Sequence, residues 1–407
     1  MYIAVKIMKE RKVYICLMLI FLFLFASVSE ISFASSSSDV WIRMYGGEKT
    51  NFSTRTFAQC WDGGFVIAGV TDFGPLLLKT DAQGNMKWNQ TYEGTVNDFP
   101  DSLIETSDKG YALISRGPKL FKFDLNGNLE WNRSLMGGYR ANSLIQTSDG
   151  GYVVTGFSGN PIEGETDYFW LTKTDEQGYT VWNNTYRTVG SGTATAVIQT
   201  IDGGYAMVGV MRGDVGLIKT DSSGELEWSK KYEKNDVDFG MHVFQTSDSG
   251  YMLAGTLWNR SLTGHGGLIK TNSKGELLWM KNYPGGYSMV AAATSDGGYI
   301  LCSELILTRT DSEGKILWSK DLYLPESSYA SERSVVQTPD GGYAVLGGGG
   351  FNASEEQPNG IVKAWIIKTD EHGVIPEFPS WIILPLLMIL ALVVIVMKKT
   401  MLKGRKE

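Results

Sequence analysis

Short segments in which apolar and polar residues alternate recur along most of the chain, separated by turns that contain glycine and aspartate. In one clear example the pattern predicts four strands, at 143–147, 152–157, 168–174 and 180–186. Alternation with a period of two, rich in Val, Ile, Tyr and Trp, is typical of β-strands. No helical periodicity separates such groups of strands, so the pattern excludes a parallel sheet with crossover helices.

A tight-turn motif, Asp-Gly-Gly followed by an aromatic residue, recurs after the first strand of each group. Two copies have Lys or Ser in place of the first glycine. The motif begins at Asp62, Asp108, Asp149, Asp202, Asp248, Asp296 and Asp340, in steps of 46, 41, 53, 46, 48 and 44 residues. Glycine supplies the positive φ of such turns, and the aspartate caps nearby backbone N–H groups. The motif therefore indicates seven repeated units, with metal binding by these aspartates as the alternative interpretation.

A second motif, Lys-Thr-Asp or a close variant, ends the third strand of each unit. Glycine stands three residues after its acidic or Asn residue and, in the first six units, tryptophan stands seven after. A Tyr or Leu lies four residues beyond the tryptophan. These tryptophans are Trp88, Trp131, Trp182, Trp228, Trp279 and Trp318.

The seventh unit lacks its own fourth strand, because Glu377 stands where tryptophan is expected, between Pro376 and Pro379. Two prolines exclude an internal strand. Trp41 and Tyr45, near the other end of the chain, have the spacing that the seventh unit lacks. We therefore predict that the strand around Trp41 completes the seventh unit.

Seven units of about 45 residues, each with four antiparallel strands, are typical of a β-propeller. We predict an all-β fold over residues 39–375, a seven-bladed β-propeller of four-stranded antiparallel blades closed by the N-terminal strand. Trp41 and the six other tryptophans are expected to pack between adjacent blades. An open β-solenoid or a row of sandwiches is the alternative.

The two ends of the chain predict export and membrane anchoring. Residues 1–34 combine basic residues, an apolar run at 13–28 and Ser-Phe-Ala34, which predicts a signal peptide, or alternatively an uncleaved anchor. Residues 381–397 are apolar and uncharged, and the basic residues of 398–407 follow. This pattern predicts a C-terminal transmembrane helix with a cytoplasmic tail and the propeller outside, a buried core helix being the alternative.

Charge and cysteine content narrow the possible partners. Both ends are basic, so the rest of the chain carries about −13 against −7 for the whole chain. A surface of that charge repels phosphate backbones, which argues against nucleic acid as a partner. Cys60 and Cys302 fall in blades that are not neighbours, so we predict two free thiols and no disulfide scaffold.

Six Asn-x-Ser/Thr sequons are candidate glycosylation sites. They begin at Asn51, Asn89, Asn132, Asn183, Asn259 and Asn352. Three of them directly follow the tryptophan of a fourth strand. Because side chains alternate along a strand, those asparagines are expected to point away from the tryptophan at the outer rim.

Strand order separates two faces of the propeller. The turn face carries the tight turns of both motifs, and the loop face carries the loops predicted at 93–101, 157–167, 233–240, 256–267, 323–332 and 348–363. Variable loops on a rigid frame are typical recognition surfaces. The loop face is expected to expose Phe99 and Trp258. Its acidic residues are Asp98, Asp101, Glu163, Glu165, Asp236, Asp238, Glu355 and Glu356.

Nothing in the sequence predicts a catalytic, cofactor or metal site. The histidines His242, His265 and His372 stand apart, with no nucleophile motif and no metal-ligand spacing beside them. Calcium at Asp236 and Asp238 is the alternative to solvated loop charge.

The favoured hypothesis is a non-catalytic cell-surface binding or scaffold protein that presents its loop face to a glycan, protein or envelope ligand. An extracellular polysaccharide hydrolase or lyase is the second hypothesis, and it requires two convergent carboxylates or a histidine at the channel mouth. A structural envelope component that associates with itself is the third.

The repeated units resemble the tandem β-propeller repeats of exported bacterial and archaeal proteins of unassigned function, from Val40 to about Val374. The Asp…Gly…Trp segment is also similar to the tryptophan-docking repeat of quinoprotein dehydrogenases. There the spacings are one residue longer, and no quinone-site or calcium-site residue matches, so the resemblance implies architecture and not redox chemistry.

The tail Ile375-Pro-Glu-Phe-Pro-Ser-Trp381, with residues 376–380 as a linker, resembles the PEF-type sorting tails of archaeal surface proteins. That resemblance implies an archaeal origin. It also implies that a sortase-like membrane enzyme cleaves the tail and re-attaches the protein.

Overall fold

The computed structural model describes residues 40–47, 51–92, 94, 99–159, 166–233, 239–258, 264–286, 289–324, 327–351 and 361–374. The predicted signal peptide (1–34), linker (376–380), transmembrane segment (381–397) and basic tail (398–407) lie outside these residues. Within the described residues, no helix combines the length and the apolar character needed to cross a membrane.

Seven four-stranded antiparallel sheets form the described part of the chain, which confirms the predicted seven-bladed propeller. We label the strands of each blade A to D. Blade seven takes its D strand, β1 (Trp41–Tyr45), from the start of the described chain. One 3-10 turn, Arg187–Val189, joins blades three and four.

The remaining strands follow in chain order. Blade one has β2 (Phe52–Gln59), β3 (Phe65–Thr71), β4 (Gly74–Thr80) and β5 (Met86–Thr91); blade two has β6 (Pro100–Glu105), β7 (Tyr111–Ser115), β8 (Lys119–Phe123) and β9 (Leu129–Ser134); blade three has β10 (Arg140–Gln146), β11 (Tyr152–Ser158), β12 (Tyr168–Thr174) and β13 (Thr180–Thr185). Blade four has β14 (Gly192–Gln199), β15 (Tyr205–Met211), β16 (Asp214–Thr220) and β17 (Leu226–Tyr232); blade five has β18 (Phe239–Gln245), β19 (Tyr251–Trp258), β20 (Gly264–Thr271) and β21 (Leu277–Tyr283). Blade six has β22 (Val290–Ala293), β23 (Tyr299–Ser303), β24 (Ile306–Thr310) and β25 (Ile316–Asp321); blade seven has β26 (Ser327–Gln337), β27 (Tyr343–Phe351) and β28 (Ile361–Thr369).

All six predicted loops are wrong at one or both ends, because the flanking strands are longer than the pattern indicated. Gly348, Gly349 and Gly350 fall in the predicted loop 348–363, yet they lie within β27 with Gly347 and pair with β28. The indole of Trp365, fully buried in β28, occupies the space that a Cβ on Gly347 would need. Glycine there permits close packing inside a strand and does not mark a loop. The loop 256–267 is shortened in the same way by β19 and β20.

Each D-strand tryptophan packs against one turn glycine of the next blade. Trp131 shows the arrangement, because an ideal Cβ on Gly178 would lie 2.4 Å from a carbon of its indole ring. The indole also meets the aromatic ring that begins the B strand of the next blade, with a centroid distance of 6.0 Å to Tyr152. The glycine contact occurs at Gly84, Gly127, Gly178, Gly224, Gly275, Gly314 and Gly373, opposite Trp41, Trp88, Trp131, Trp182, Trp228, Trp279 and Trp318 respectively.

The tyrosine four residues after the tryptophan binds the same glycine. The Tyr186 hydroxyl donates a hydrogen bond to the carbonyl oxygen of Gly224 at 2.7 Å, and Tyr232 and Tyr283 do the same in the next two blades. These buried hydroxyls would otherwise lack a partner in an apolar interface. Hydrophobic clusters spanning neighbouring blades surround these contacts, so the core lies between blades.

An ion pair between a buried cation and a partly exposed aspartate anchors the turn face in every blade. The third-strand Lys or Arg of the second motif reaches the aspartate of the first motif, and Lys219 Nζ lies 2.9 Å from Asp202 Oδ2. The pairs are Lys79–Asp62, Lys122–Asp108, Lys173–Asp149, Lys219–Asp202, Lys270–Asp248, Arg309–Asp296 and Lys368–Asp340. The aspartate also accepts a backbone N–H bond two residues on, as in Gly64 to Asp62. The aspartates therefore cap turns and neutralise buried cations.

The N-terminal strand closes the ring as predicted. β1 pairs antiparallel with β28, from Trp41 opposite Lys368 to Tyr45 opposite Ala364. Trp41 and Tyr45 then contact Gly84 of blade one as other D-strand residues contact the next blade. Cys60 and Cys302 are both buried, free thiols, also as predicted.

Removing the closing strand is expected to destabilise the whole ring. Deletion of residues 40–45 exposes the edge of β28 and leaves Gly84 without its tryptophan, so the melting temperature should fall. Trp41→Ala alone should cost roughly 3–5 kcal/mol of unfolding free energy, because this side chain is 6% exposed. Met44→Ala on the same strand, where Met44 is 37% exposed, is the control. Equal melting of the deletion variant and the parent, followed by circular dichroism, would refute closure by β1.

The turn-face ion pairs predict loss of stability in acid. The pKa of Asp149 is lowered to about 2, chiefly by the hydrogen bond from the Thr147 hydroxyl and then by Lys173. A lowered carboxyl pKa stabilises the fold above the unfolded-state pKa of about 3.9, and this stabilisation is lost as the pH falls toward 2. Asp149→Asn should therefore melt lower than the parent at pH 6 and lose less between pH 4.5 and pH 2.5.

Glu176→Gln, an exposed carboxylate on the same face, is the matched control for thermal melts across this pH range. If Asp149→Asn and the parent lose the same stability between the two pH values, the ion pair does not set the acid response.

Candidate binding site at the central channel

The A strands of all seven blades surround a central cavity of about 360 Å³. A β-bulge in six of these strands takes one residue out of the hydrogen-bonded ladder. The six bulge residues, all lining the cavity, are Arg55, Asp101, Asn142, Thr195, Met241 and Arg333. Each stands seven residues before the turn-motif aspartate of its blade. Bulges re-aim side chains, and here one repeat position carries different chemistry in different blades.

Two bulge residues join neighbouring blades. The Asn142 side-chain amide donates a hydrogen bond to the carbonyl oxygen of Ala194 in blade four at 2.7 Å. The Thr195 hydroxyl donates in turn to the carbonyl oxygen of Gly240 in blade five. These polar groups are satisfied within the frame.

Three arginines surround Asp101, and we call Arg55, Arg116 and Arg140 the arginine cluster. Their nearest nitrogens lie 3.6, 3.6 and 3.7 Å from the Asp101 carboxylate. The Asp101 side chain is 7% exposed, whereas each arginine keeps about a third of its side chain exposed. Arg55 and Arg116 also lie over the Phe99 ring, at 5.2 and 5.3 Å from its centroid.

This geometry corrects the expected role of Asp101 and Phe99. Asp101 was expected to be a solvated loop charge, and Phe99 an exposed aromatic. Instead the carboxylate is buried beneath three cations, and the ring supports two of them through cation–π contacts. The physical reason is that A strands converge at the channel, so the first residues of β6 and β10 face inward.

The electrostatics of the arginine cluster are unbalanced. Burial raises the pKa of Asp101, and the three guanidinium groups act against that rise. Burial is also the main cause of the lowered pKa of Arg55, and repulsion from Arg116, Arg333 and Arg140 adds to it. Positive charge is therefore in excess, because Arg55, Arg116, Arg140 and Arg333 face two buried carboxylates, Asp101 and Glu332.

Glu332 and His242 line the same cavity. The Glu332 carboxylate accepts a hydrogen bond from the Leu305 backbone N–H, and burial raises its pKa. Burial lowers the pKa of His242 to about 4, so its imidazole is neutral near pH 7. Two carboxylates and a histidine thus share the channel, which is the feature that the hydrolase hypothesis requires.

Other predicted site residues are distributed as follows. Asn89 and Asn183 are exposed on D strands and Asn132 is half-buried, while the Asn51 amide is hydrogen-bonded to Asp72. His265 lies in β20 and His372 in the last turn of blade seven. The loop-face residues outside the described chain are Asp98, Glu163, Glu165, Asp236, Asp238, Glu355, Glu356, Asn259 and Asn352, together with the side chain of Trp258. Among the residues that the structure does describe, no three His, Cys, Asp or Glu residues are grouped to hold a metal ion.

Comparison with known proteins supports the fold alone. No protein-family model matches the chain. No curated protein matches it either. Similar solved structures include the Neurospora crassa Pan2 WD40 domain, which is 9% identical with a TM-score of 0.56 over 84% of this chain and 99% of that chain. The WD40 β-propeller domain of Doa1 is 14% identical with a TM-score of 0.53 over 80% and 97%. BamB from Moraxella catarrhalis is 13% identical with a TM-score of 0.43 over 77% and 82%.

The ion pairs around Asp101 predict a charge-dependent stability. Asp101→Asn leaves three guanidinium groups close together without a counterion, so it should cost roughly 2–4 kcal/mol of unfolding free energy. Because the remaining repulsion is screened by salt, 0.5 M NaCl should recover part of the loss in a thermal melt. Asp321→Asn, which removes an exposed carboxylate at the end of β25, should melt like the parent. This account would be contradicted if Asp101→Asn had the melting temperature of the parent and that temperature did not change with salt.

Proposed function

We propose that the protein is an exported, non-catalytic binding or scaffold protein that presents its loop face to a glycan, protein or envelope ligand at the cell surface. The observation that supports it best is the difference between equivalent positions of the repeat. On the turn face every blade uses the same aspartate, cation and glycine. At the bulge position, by contrast, the blades carry Arg, Asp, Asn, Thr, Met and Arg.

The fold explains the uniform positions and leaves the varied ones unexplained. Each blade needs a counterion for its buried third-strand cation and a cap for its turn, so these residues repeat. A channel residue that only filled space would not need to be a cation in two blades and an anion in a third, since buried charge costs free energy unless it is compensated. Position-specific charge on a repeated frame is what a recognition surface requires.

Anchoring is the second part of the proposal, and its support is in the sequence. The signal peptide at 1–34 and the apolar span at 381–397, with the basic tail 398–407 inside, would hold the propeller outside the cell. The linker 376–380 would be the site of any PEF-type processing. Glycosylation is proposed at Asn89 and Asn183, whose side chains are exposed on outer strands.

A polysaccharide hydrolase or lyase remains the second candidate. Asp101 and Glu332 line one cavity, and burial raises the pKa of each carboxyl group. Raised carboxyl pKa values suit a general acid, and paired carboxylates are the usual apparatus of glycoside hydrolysis. The binding proposal is favoured because Asp101 is held by three arginines, which is a poor environment for proton donation.

Replacing exposed loop-face aromatics should weaken ligand retention. Phe73 in the B–C turn of blade one and Tyr323 between blades six and seven are exposed on the loop face. Phe73→Ala/Tyr323→Ala should reduce retention of the purified full chain on cell-envelope fractions and glycan arrays at least fivefold. The matched control is Trp61→Ala/Ile201→Ala, which removes two equally exposed apolar residues from the turn face. Equal losses in both variants would contradict a loop-face site.

The same polysaccharides should be tested for release of reducing ends or unsaturated products. Product release that Glu332→Gln abolishes, with retention unchanged, would replace the binding proposal with the hydrolase or lyase.

A further inference from the structure

We propose that the arginine cluster binds the carboxylate of an acidic sugar residue within a glycan; this inference rests on the proposed binding function and specifies its ligand. The site consists of Arg55, Arg116 and Arg140 around Asp101, and Arg55 and Asp101 also line the central cavity.

The arginine cluster has more hydrogen-bond donors than its one carboxylate can accept. Each guanidinium group has five N–H donors, whereas one carboxylate accepts about four hydrogen bonds. The buried Nε atoms of Arg116 and Arg140 face Asp101 Oδ2 at 3.6 and 3.7 Å, so this side of the cluster is closed to a ligand. Each arginine side chain nevertheless keeps about a third of its surface exposed. A ligand carboxylate that reached the exposed guanidinium nitrogens would form charge-assisted, bidentate bonds with them.

Phe99 and Asp101 preorganise the arginine cluster for ligand binding. Phe99 lies beneath Arg55 and Arg116, and Asp101 fixes the approach of all three arginines. Phe99 and Asp101 are themselves largely covered by other residues. The guanidinium groups that they hold therefore lose little rotational freedom when a ligand binds. Asp101 and Phe99 are therefore positioning residues, and the arginines are the groups that contact the anion.

The cavity wall favours a sugar over a peptide. Beside apolar residues such as Phe57 and Leu103, the cavity wall carries hydroxyl and amide groups from Thr56, Ser102, Asn142 and Ser143. Such groups both donate and accept hydrogen bonds, as sugar hydroxyls require. The volume of about 360 Å³ lies within the range of small-ligand sites.

The test measures binding of trigalacturonate to the purified full chain by isothermal titration calorimetry. Neutral galactotriose, sodium sulfate and a short polyglutamate serve as comparison probes. We expect trigalacturonate to bind, galactotriose to bind at least tenfold more weakly, and the affinity for trigalacturonate to fall as salt rises. Arg55→Gln/Arg116→Gln should weaken trigalacturonate binding at least tenfold.

Arg187→Gln is the matched control, since Arg187 lies on the same face between blades three and four, stacked over Tyr168. Arg55→Lys/Arg116→Lys keeps the charge without the planar fork, so it should fold like the parent and bind with intermediate affinity. Parental affinity in both double variants would overturn the inference. So would sulfate binding as tightly as trigalacturonate, which indicates an isolated anion site, or tighter binding of polyglutamate, which indicates an acidic peptide.

The two proposals fail in different experiments. If the loop-face aromatic variant loses envelope retention while the arginine variants bind trigalacturonate normally, the sugar inference is wrong and the binding function stands. If the arginine variants lose trigalacturonate while the aromatic variant retains all envelope ligands, the acidic-sugar site stands and the loop face is not the recognition surface.

Discussion

The contact between a D-strand tryptophan and the turn glycine of the next blade sets the geometry of the ring. The indole of Trp131 lies where a side chain on Gly178 would begin, and the same glycine holds a positive φ of 80°. Two independent requirements, backbone conformation and space, therefore select glycine there. Because the contact recurs from Trp41 on Gly84 to Trp318 on Gly373, it fixes the distance between blades and so the width of the channel.

Much of this frame could be predicted because its constraints repeat. The glycines, tryptophans and turn aspartates stand at constant spacing, so seven copies reveal them in a single sequence. The ion pair that each turn aspartate forms was not predicted, although the third-strand Lys or Arg also recurs. Lysine is normally exposed and is buried only when it is paired, so nothing in the sequence indicated that Lys219 is buried. The prediction of Gly348, Gly349 and Gly350 as loop residues was wrong for the opposite reason, because no repeated pattern marks them as part of β27. The neighbouring Gly347 makes room for the Trp365 indole across the sheet, a contact that no local pattern encodes.

The channel site could not be predicted in the same way. Arg55, Asp101 and Arg140 belong to three blades, and Arg116 to a B–C turn, so their convergence follows from ring closure and not from sequence spacing. The net negative charge of the chain also gave no indication of this site, because three arginines gather around Asp101 at the central channel. A usable signal did exist, because the residue seven before each turn aspartate changes its chemistry while its neighbours in the repeat do not.

Closure by β1 also determines the order in which the domain is completed. Trp41 pairs with Lys368, so the first described strand must wait for almost the last one to be synthesised. Until then both ends of the blade stack present unpaired strand edges, which are prone to association with other chains. Joining segments so distant in sequence carries a loop-closure entropy cost, and non-local pairing of this kind is typical of slowly folding proteins. Completion of the domain thus requires its two ends to pair with each other, and does not follow from adding one blade after another.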